Sequence, residues 1–211
     1  MNRQPLLDAL AAKWKFTGDI PCDAPAFLVT HACLKTATHV AAVAAEARRL
    51  AVRFGEDAEQ AETAGWLHDI SAVIPDENRI AAAEAFGLAV LPEERTLPMI
   101  VHQRLSAVIA CELFGVRDPA VLSAIACHTT LNAGASRLDT LVFVADKIAW
   151  DQPAAPPYLP ALDAALGHSL DAAAFVYLDW LWQRRHTLGV IHPWFRAAHR
   201  ERLAARGIES T

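Results

Sequence analysis

Four histidines and two aspartates lie where such side chains are uncommon, inside apolar stretches with helical spacing. His39 stands among Ala and Val, and His68-Asp69 follows Ala64-Gly65-Trp66-Leu67. His102 opens a helical pattern, His128 stands near the end of one, and Asp146 follows Val142-Phe143-Val144-Ala145. A buried imidazole or ionised carboxylate needs a partner, because an unpaired charge in an apolar setting costs several kcal/mol. The six would satisfy one another by converging on metal ions. Their mixture of imidazole and carboxylate suits Fe, Mn and Zn, with Mg tolerated on the carboxylate-rich side. A single His-Asp dipeptide carries little information, and a lone His in an apolar helix is more often a satisfied core residue. The ordered set carries the signal.

Helices must position these residues. Apolar residues recur at helical spacing almost throughout, alternation with a period of two is never sustained, and alanine is abundant. The spacing predicts a helix over Pro5–Phe16 closed by Gly18, then one long helix over Pro25–Phe54 stopped by Gly55. Asp57 and Gln60 have the spacing of a capping box for a helix over Ala58–Ile70. Further helices are expected over Pro75–Phe86 and Gln103–Phe114, each followed by glycine, with Pro92–Pro98 as a connector. Asp118-Pro119 starts a helix running to about Thr130. Ser136 and Asp139 cap another over Arg137–Trp150. Four prolines in Gln152–Pro160 exclude continuous helix there. Helices over Leu162–His168, Leu170–His186 and Pro193–Arg206 complete an all-α, single-domain reading. Its parts are an N-terminal helix and connector (1–24), a metal-binding core (25–151), and a Pro-rich segment with C-terminal helices (152–211).

Composition narrows the function classes. The 211 residues are 54% hydrophobic and 20% charged, with 19 Lys+Arg against 24 Asp+Glu. A net charge of −5 and no basic stripe argue against nucleic acid as a partner. Cys22, Cys33, Cys111 and Cys127 show neither C-x-x-C spacing nor disulfide density, and read as reduced thiols of a cytoplasmic protein. The segment Met1–Phe16 does not read as a signal peptide, and no window of about 18 residues lacks charge, so no membrane span is expected.

The order His39, His68-Asp69, His102, His128, Asp146, embedded in A-G-W-L-H-D-I, C-H-T-T and F-V-A-D-K-I, resembles the HD superfamily of metal-dependent phosphohydrolases. More narrowly it is similar to the YqeK-type branch, bacterial enzymes that split symmetrical dinucleoside tetraphosphates. The resemblance runs from Thr36 to Pro193 and includes Arg53-Phe54-Gly55. It implies a helical bundle around one or two divalent ions, iron first, with Mn, Mg or Zn as alternatives. His39, His68, Asp69 and Asp146 would hold one ion and His102 with His128 the second, with Asp69 bridging. It also makes His68 and Asp69 the catalytic pair, and diadenosine tetraphosphate, cleaved to two ADP, the expected substrate. Two ions about 3.5–4 Å apart lower the pKa of a shared water and clamp phosphoryl oxygens.

The chain departs from the branch where substrate would be held. The basic residue usual shortly after His-Asp is replaced by Ser71-Ala72-Val73, and the G-R-P-G loop after H-T by Leu131-Asn132-Ala133-Gly134. Ala149-Trp150-Asp151 stands where an acidic residue and an arginine are common. Lys147, Arg104 and Arg137 are the candidate phosphate contacts, against a reading as solvated helix-face charges. Thr129 and Thr130 either bond phosphate or cap their helix. Trp66, Trp150, Trp180, Trp182 and Trp194 either stack a base or fill the core. His192-Pro193-Trp194 is expected to turn the chain, a metal role for His31 and Cys33 lacks a partner, and His168, His186 and His199 are expected at the surface. Two other readings stand beside the phosphohydrolase: a metal-binding nucleotide sensor without turnover, motivated by the missing loop arginine, and an HD-fold di-iron oxygenase. A homodimer through an Ala-rich helix face is left open.

Overall fold

Helix α3 (Leu34–Phe54) buries Ala37, Val40, Val43, Ala44, Ala47, Leu50 and Ala51, the stripe that a 3.6-residue period places on one face. In this computed structural model, which describes residues 2–150 and 154–207, α3 lies against α4 (Ala58–Leu67) and α9 (Arg137–Ile148). Helix α8 (Pro119–Cys127) packs on α4, on α9 and on α7 (His102–Glu112). These five helices enclose the site. Helices α1 (Arg3–Ala11), α2 (Ile20–Thr30), α5 (Asp76–Ala85) and α6 (Pro92–Thr96) surround one side, while α10 (Leu159–Leu166), α11 (Leu170–Gln183) and α12 (Pro193–Ala204) follow α9. The described residues contain no strand, and none of their helices is long and apolar enough to cross a membrane. The four cysteines are unpaired.

Gly65 sets how closely α4 approaches α3. A Cβ placed there would stand 2.6 Å from Ala44 Cα and 2.9 Å from Ala44 N, so the two backbones meet with no room for a side chain. His39 on α3 and His68 at the end of α4 are thereby brought face to face.

Several helix ends follow the local chemistry. Gly55 closes α3 with φ 73°, and Asp118 caps α8 by accepting from Ala120 N. Ser136 and Asp139 form a reciprocal capping box on α9. Asp57 caps α4 through Glu59 N and Gln60 N, but Gln60 Nε2 donates instead to Asp118 Oδ2 at 2.8 Å, tying α4 to α8.

Other ends correct the sequence expectation. The single helix expected over Pro25–Phe54 is two, because the chain turns at His31–Cys33. Ala32 takes φ 64° and Cys33 N donates to Leu28 O at 2.9 Å, a Schellman closure built on alanine where glycine is usual. The connector at Pro92–Pro98 contains α6 and leads into a 3-10 turn at Pro98–Val101. It is held because Glu94, fully buried, accepts from Leu91 N at 2.8 Å and from Arg104 Nη1 at 2.9 Å. Helix α4 stops at Leu67 rather than Ile70, and a 3-10 turn at Ile70–Val73 follows. Helix α10 begins at Leu159, earlier than expected, with Pro160 in its first turn. Of the Pro-rich segment, residues 152–153 lie outside the described residues, as does Asp151. His199 is 3% exposed and lies 3.1 Å from Asp179, so it is a core residue and not a surface one, while His168 and His186 are exposed. His192 is buried and caps α12 by accepting from Trp194 N.

Asp23 anchors the N-terminal connector. Its carboxylate accepts from Thr17 N, Gly18 N, Thr17 Oγ1 and Trp14 Nε1. Burial opposes ionisation, yet these donors outweigh it and hold the group below its ordinary value.

Two predictions follow from this packing. Gly65→Ala pushes α4 off α3 and lowers stability by about 1–3 kcal/mol in chemical denaturation; wild-type stability would show that the two backbones separate freely. Asp23→Ala costs about 1–3 kcal/mol at neutral pH. Because the folded pKa is depressed, that contribution is present above the unfolded value of about 3.9 and is lost as pH falls through the folded value. Melting curves from pH 7 to pH 2 should therefore converge for the two proteins, and a constant gap would refute the carboxylate's role.

Candidate metal centre

Three of the four histidines stand where a helical segment ends or begins, and each uses the carbonyl exposed there. Nδ1 of His68 lies 2.8 Å from Gly65 O, that of His102 2.6 Å from Met99 O, and that of His128 2.8 Å from Ile125 O. Each is a bond to the residue three positions earlier; at Gly65 and Ile125 that carbonyl belongs to the last turn of its helix, while Met99 O also accepts the backbone N–H of His102. A carbonyl only accepts, so Nδ1 carries the hydrogen and Nε2 presents a lone pair inward.

Those lone pairs converge. His102 Nε2 and His128 Nε2 are 3.0 Å apart, and His68 Nε2 lies 3.2 Å from His39 Nε2. Asp69 Oδ1 stands 3.1 Å from His102 Nε2 and 3.3 Å from His128 Nε2, with no hydrogen-bond partner of its own. Asp146 Oδ1 is 3.0 Å from His39 Nε2 and 3.6 Å from His68 Nε2. The fixed acceptors of His68, His102 and His128 repel one another and the Asp69 carboxylate at such distances unless a cation lies between them. His39, whose Nδ1 has no partner, can instead donate from Nε2 to Asp146 Oδ1. The donor set therefore fits metal ions, and two overlapping groups could hold them: His39, His68 and Asp146, and His68, Asp69 and His128.

The electrostatics agree with that use. Burial raises the carboxyls of Asp69 and Asp146, but the His68 imidazole beside Asp69 and the Lys147 ammonium beside Asp146 outweigh it and hold both well below the ordinary range. Burial pushes His128 down to about 4, keeping its imidazole neutral. For His68, burial is outweighed by the carboxylates of Asp69 and Asp146, and its value rises. Burial likewise disfavours charge on Lys147, but Asp146 beside it wins and keeps the ammonium charged. Lys147 Nζ pairs with Asp146 Oδ2 and donates to His128 O at 3.3 Å.

The six residues singled out by sequence are thus gathered in one cluster. Thr129 joins them, its Oγ1 lying 3.1 Å from His102 Nε2 and 3.0 Å from His128 Nε2. Thr130 is turned away and bonds Gln103 Nε2 at 3.0 Å. Arg104 and Arg137 are not brought in, which corrects their expected role. Arg104 donates from both terminal nitrogens to Ala89 O and pairs with Glu94, while Arg137 binds Glu56 and Phe54 O. The loop after Thr130 also leads away, because Gly134 N donates to both carboxylate oxygens of Glu201 on α12.

Three openings border the cluster. Asp69, with 25% of its side chain exposed, and His102 edge a cavity of ≈ 210 Å³ shared with Thr36, Ala72, Arg79 and Met99. His39 edges a cleft of ≈ 450 Å³ with Lys35, Thr38 and Trp150, a residue 41% exposed. Thr129 edges a third of ≈ 210 Å³, largely apolar, with Tyr177, Leu181 and Phe195. Arg79 and Lys35 had not been singled out from sequence. Lys35 shares a face with Thr38 and His39 at i+3 and i+4, a spacing that signals it. Nothing local to Arg79 does so.

A family model described as HD domain matches residues 36–151. An uncharacterized protein from the pepC 5′ region of Lactococcus lactis subsp. cremoris is 44% identical over 142 residues, 67% of this chain and 72% of that protein. A symmetrical bis(5′-nucleosyl)-tetraphosphatase from Bacillus subtilis (strain 168) is 33% identical over 112 residues, 52% of this chain and 59% of that protein. Among solved structures, a predicted HD superfamily hydrolase involved in NAD metabolism from Clostridium acetobutylicum superposes with TM-score 0.79 at 24% identity, covering 86% of this chain and 96% of that one.

A cation that relieves the opposed lone pairs should stabilise the fold. Adding Fe(II), Mn(II) or Zn(II) to chelator-stripped protein at about 100 times the dissociation constant should add about 2.7 kcal/mol. That corresponds to roughly 5–10 °C in melting temperature, and Asp69→Ala should reduce the shift. An unchanged melting temperature with all three ions would mean that the cluster does not bind them.

Proposed function

Because this chain belongs to the HD domain family, we propose that it is a metal-dependent phosphohydrolase acting on a nucleotide, with a symmetrical dinucleoside tetraphosphate as preferred substrate. The carrying observation is the convergence of His and Asp acceptor atoms whose mutual repulsion calls for cations. The name of the Bacillus relative supports the substrate class. His39, His68, Asp69 and Asp146 would hold one ion, and His102 with His128 a second, with Asp69 reaching both. Iron is the proposed metal, with Mn, Mg or Zn as alternatives, since nitrogen and carboxylate ligands serve all four. When bound, such ions supply Lewis acidity that activates a water and stabilises charge on the leaving phosphoryl oxygen.

The chain's own residues do the rest by position and charge. Asp69 holds its carboxylate ionised at the open edge of the cluster. Lys147 balances Asp146 and braces the His128 carbonyl, which keeps the ligand end of α9 against α8. Thr129 holds its hydroxyl against His102 and His128, within reach of a phosphoryl oxygen. The cleft with Trp150 and Lys35 and the apolar opening with Tyr177 and Phe195 border the ligand set at His39 and Thr129 respectively. Two such openings suit a substrate with a nucleoside at each end.

Metal-loaded protein should cleave diadenosine tetraphosphate to two ADP, and Asp69→Ala should lower that rate by about 10³-fold or more with the far-UV helical signal kept. Undiminished turnover in Asp69→Ala would overturn the reading. Tight dinucleotide binding without product would instead indicate a sensor, and oxygen uptake an oxygenase.

A further inference from the structure

Ala72 and Arg79 line one cavity together with Asp69, His102, Thr36 and Met99. At ≈ 210 Å³ it lies below the roughly 300–1,000 Å³ of whole-ligand pockets, and has room for a phosphate group beside the cluster. Position 72 belongs to the Ser71-Ala72-Val73 segment directly after His68-Asp69, where this chain carries no basic residue. Arg79 arrives at the same space from α5. Three contacts hold its guanidinium: Nη1 pairs with Asp76 Oδ1 at 2.7 Å and donates to Met99 O at 3.5 Å, and Nε donates to Ile74 O at 3.2 Å. Nη2 makes no hydrogen bond among the described residues. Asp76 is 65% exposed, so water screens that pair and leaves the charge of Arg79 available to an anion. Arg104 and Arg137 are both committed elsewhere.

We propose that Arg79 is a phosphate-binding residue of the metal centre, supplying through Nη2 the positive charge that Ala72 does not. Its ligand is a phosphoryl or phosphate oxyanion reaching the cluster beside Asp69 and His102. The anchored fork suits this use, because a guanidinium already fixed through Nη1 and Nε loses little freedom when Nη2 takes an oxygen. The assignment rests on the phosphohydrolase reading only in taking a phosphate oxygen as the ligand.

Inorganic phosphate, titrated calorimetrically into the metal-loaded full chain, is the direct probe. At equal metal occupancy, Arg79→Gln should weaken phosphate binding about 10- to 100-fold, the range of a charge-assisted hydrogen bond. It should also raise KM for diadenosine tetraphosphate more than it lowers kcat. Arg79→Lys, which keeps the charge without the fork, should fall between Arg79→Gln and wild type. Adding Ala72→Lys to Arg79→Gln should recover several-fold of the affinity, a rescue that a merely structural arginine would not allow. Phosphate affinity within two-fold of wild type in Arg79→Gln overturns the proposal. If the wild type cleaves no nucleotide yet binds phosphate through Arg79, the phosphohydrolase reading fails and this assignment stands.

Discussion

The hydrogen bonds from His68, His102 and His128 Nδ1 to carbonyls three residues upstream are the constraint on which this structure turns. Each needs a carbonyl that the imidazole of a residue three positions on can reach, and all three lie where a helical segment ends or begins. The chain complies at all three places: α4 stops at Leu67, the 3-10 turn at Pro98–Val101 precedes His102, and α8 stops at Cys127. Fixing the tautomer in this way turns the Nε2 lone pairs on one another, and a cation becomes the group that relieves the repulsion. The close approach at Gly65 and the α8 contacts with α4, α7 and α9 hold the helix ends that carry these rings.

The same burial that sharpens the site also makes its charges costly to leave unpaired. Asp69 and Asp146 keep their negative charge because imidazoles and Lys147 face them, and Lys147 keeps its positive charge for the reciprocal reason. The aromatic faces of Phe143 and Tyr177, 5.1 and 5.3 Å from its ammonium, complete that enclosure. Among the six residues exposure is greatest at Asp69, which borders the opening shared with Arg79.

Cationic groups on this fold divide between structure and site. Arg104 satisfies the fully buried Glu94, whose carboxylate also caps α6 and lies 3.6 Å from His192 at the start of α12. Removing Arg104 from that network would leave an uncompensated buried carboxylate, which is why it is unavailable to a ligand. Arg137 braces the start of α9 on the end of α3 through Phe54 O and Glu56. Lys35, Arg79 and Lys147 border the cluster and its openings.

Sequence alone determined the all-α class, the caps at Asp118, Ser136 and Gly55, and which six His and Asp side chains gather in one cluster, because each stands out in local pattern. A 3.6-residue period, an N-cap hydroxyl or carboxylate, and a polar residue set among apolar ones are all visible within a few residues. The break at Ala32 was invisible, since an alanine in a left-handed conformation is chosen by what packs around it. The early end of α4 was hidden for a related reason: His68 and Asp69 are as compatible with helix as with the turn that aims them. Which cations face the centre was decided only by tertiary structure. Arg104 stands two residues from His102 and points to Glu94, while Arg79, ten residues beyond Asp69, comes back to its side on another helix. A side chain's direction depends on helix phase and on competing partners far along the chain, and spacing in the sequence encodes neither.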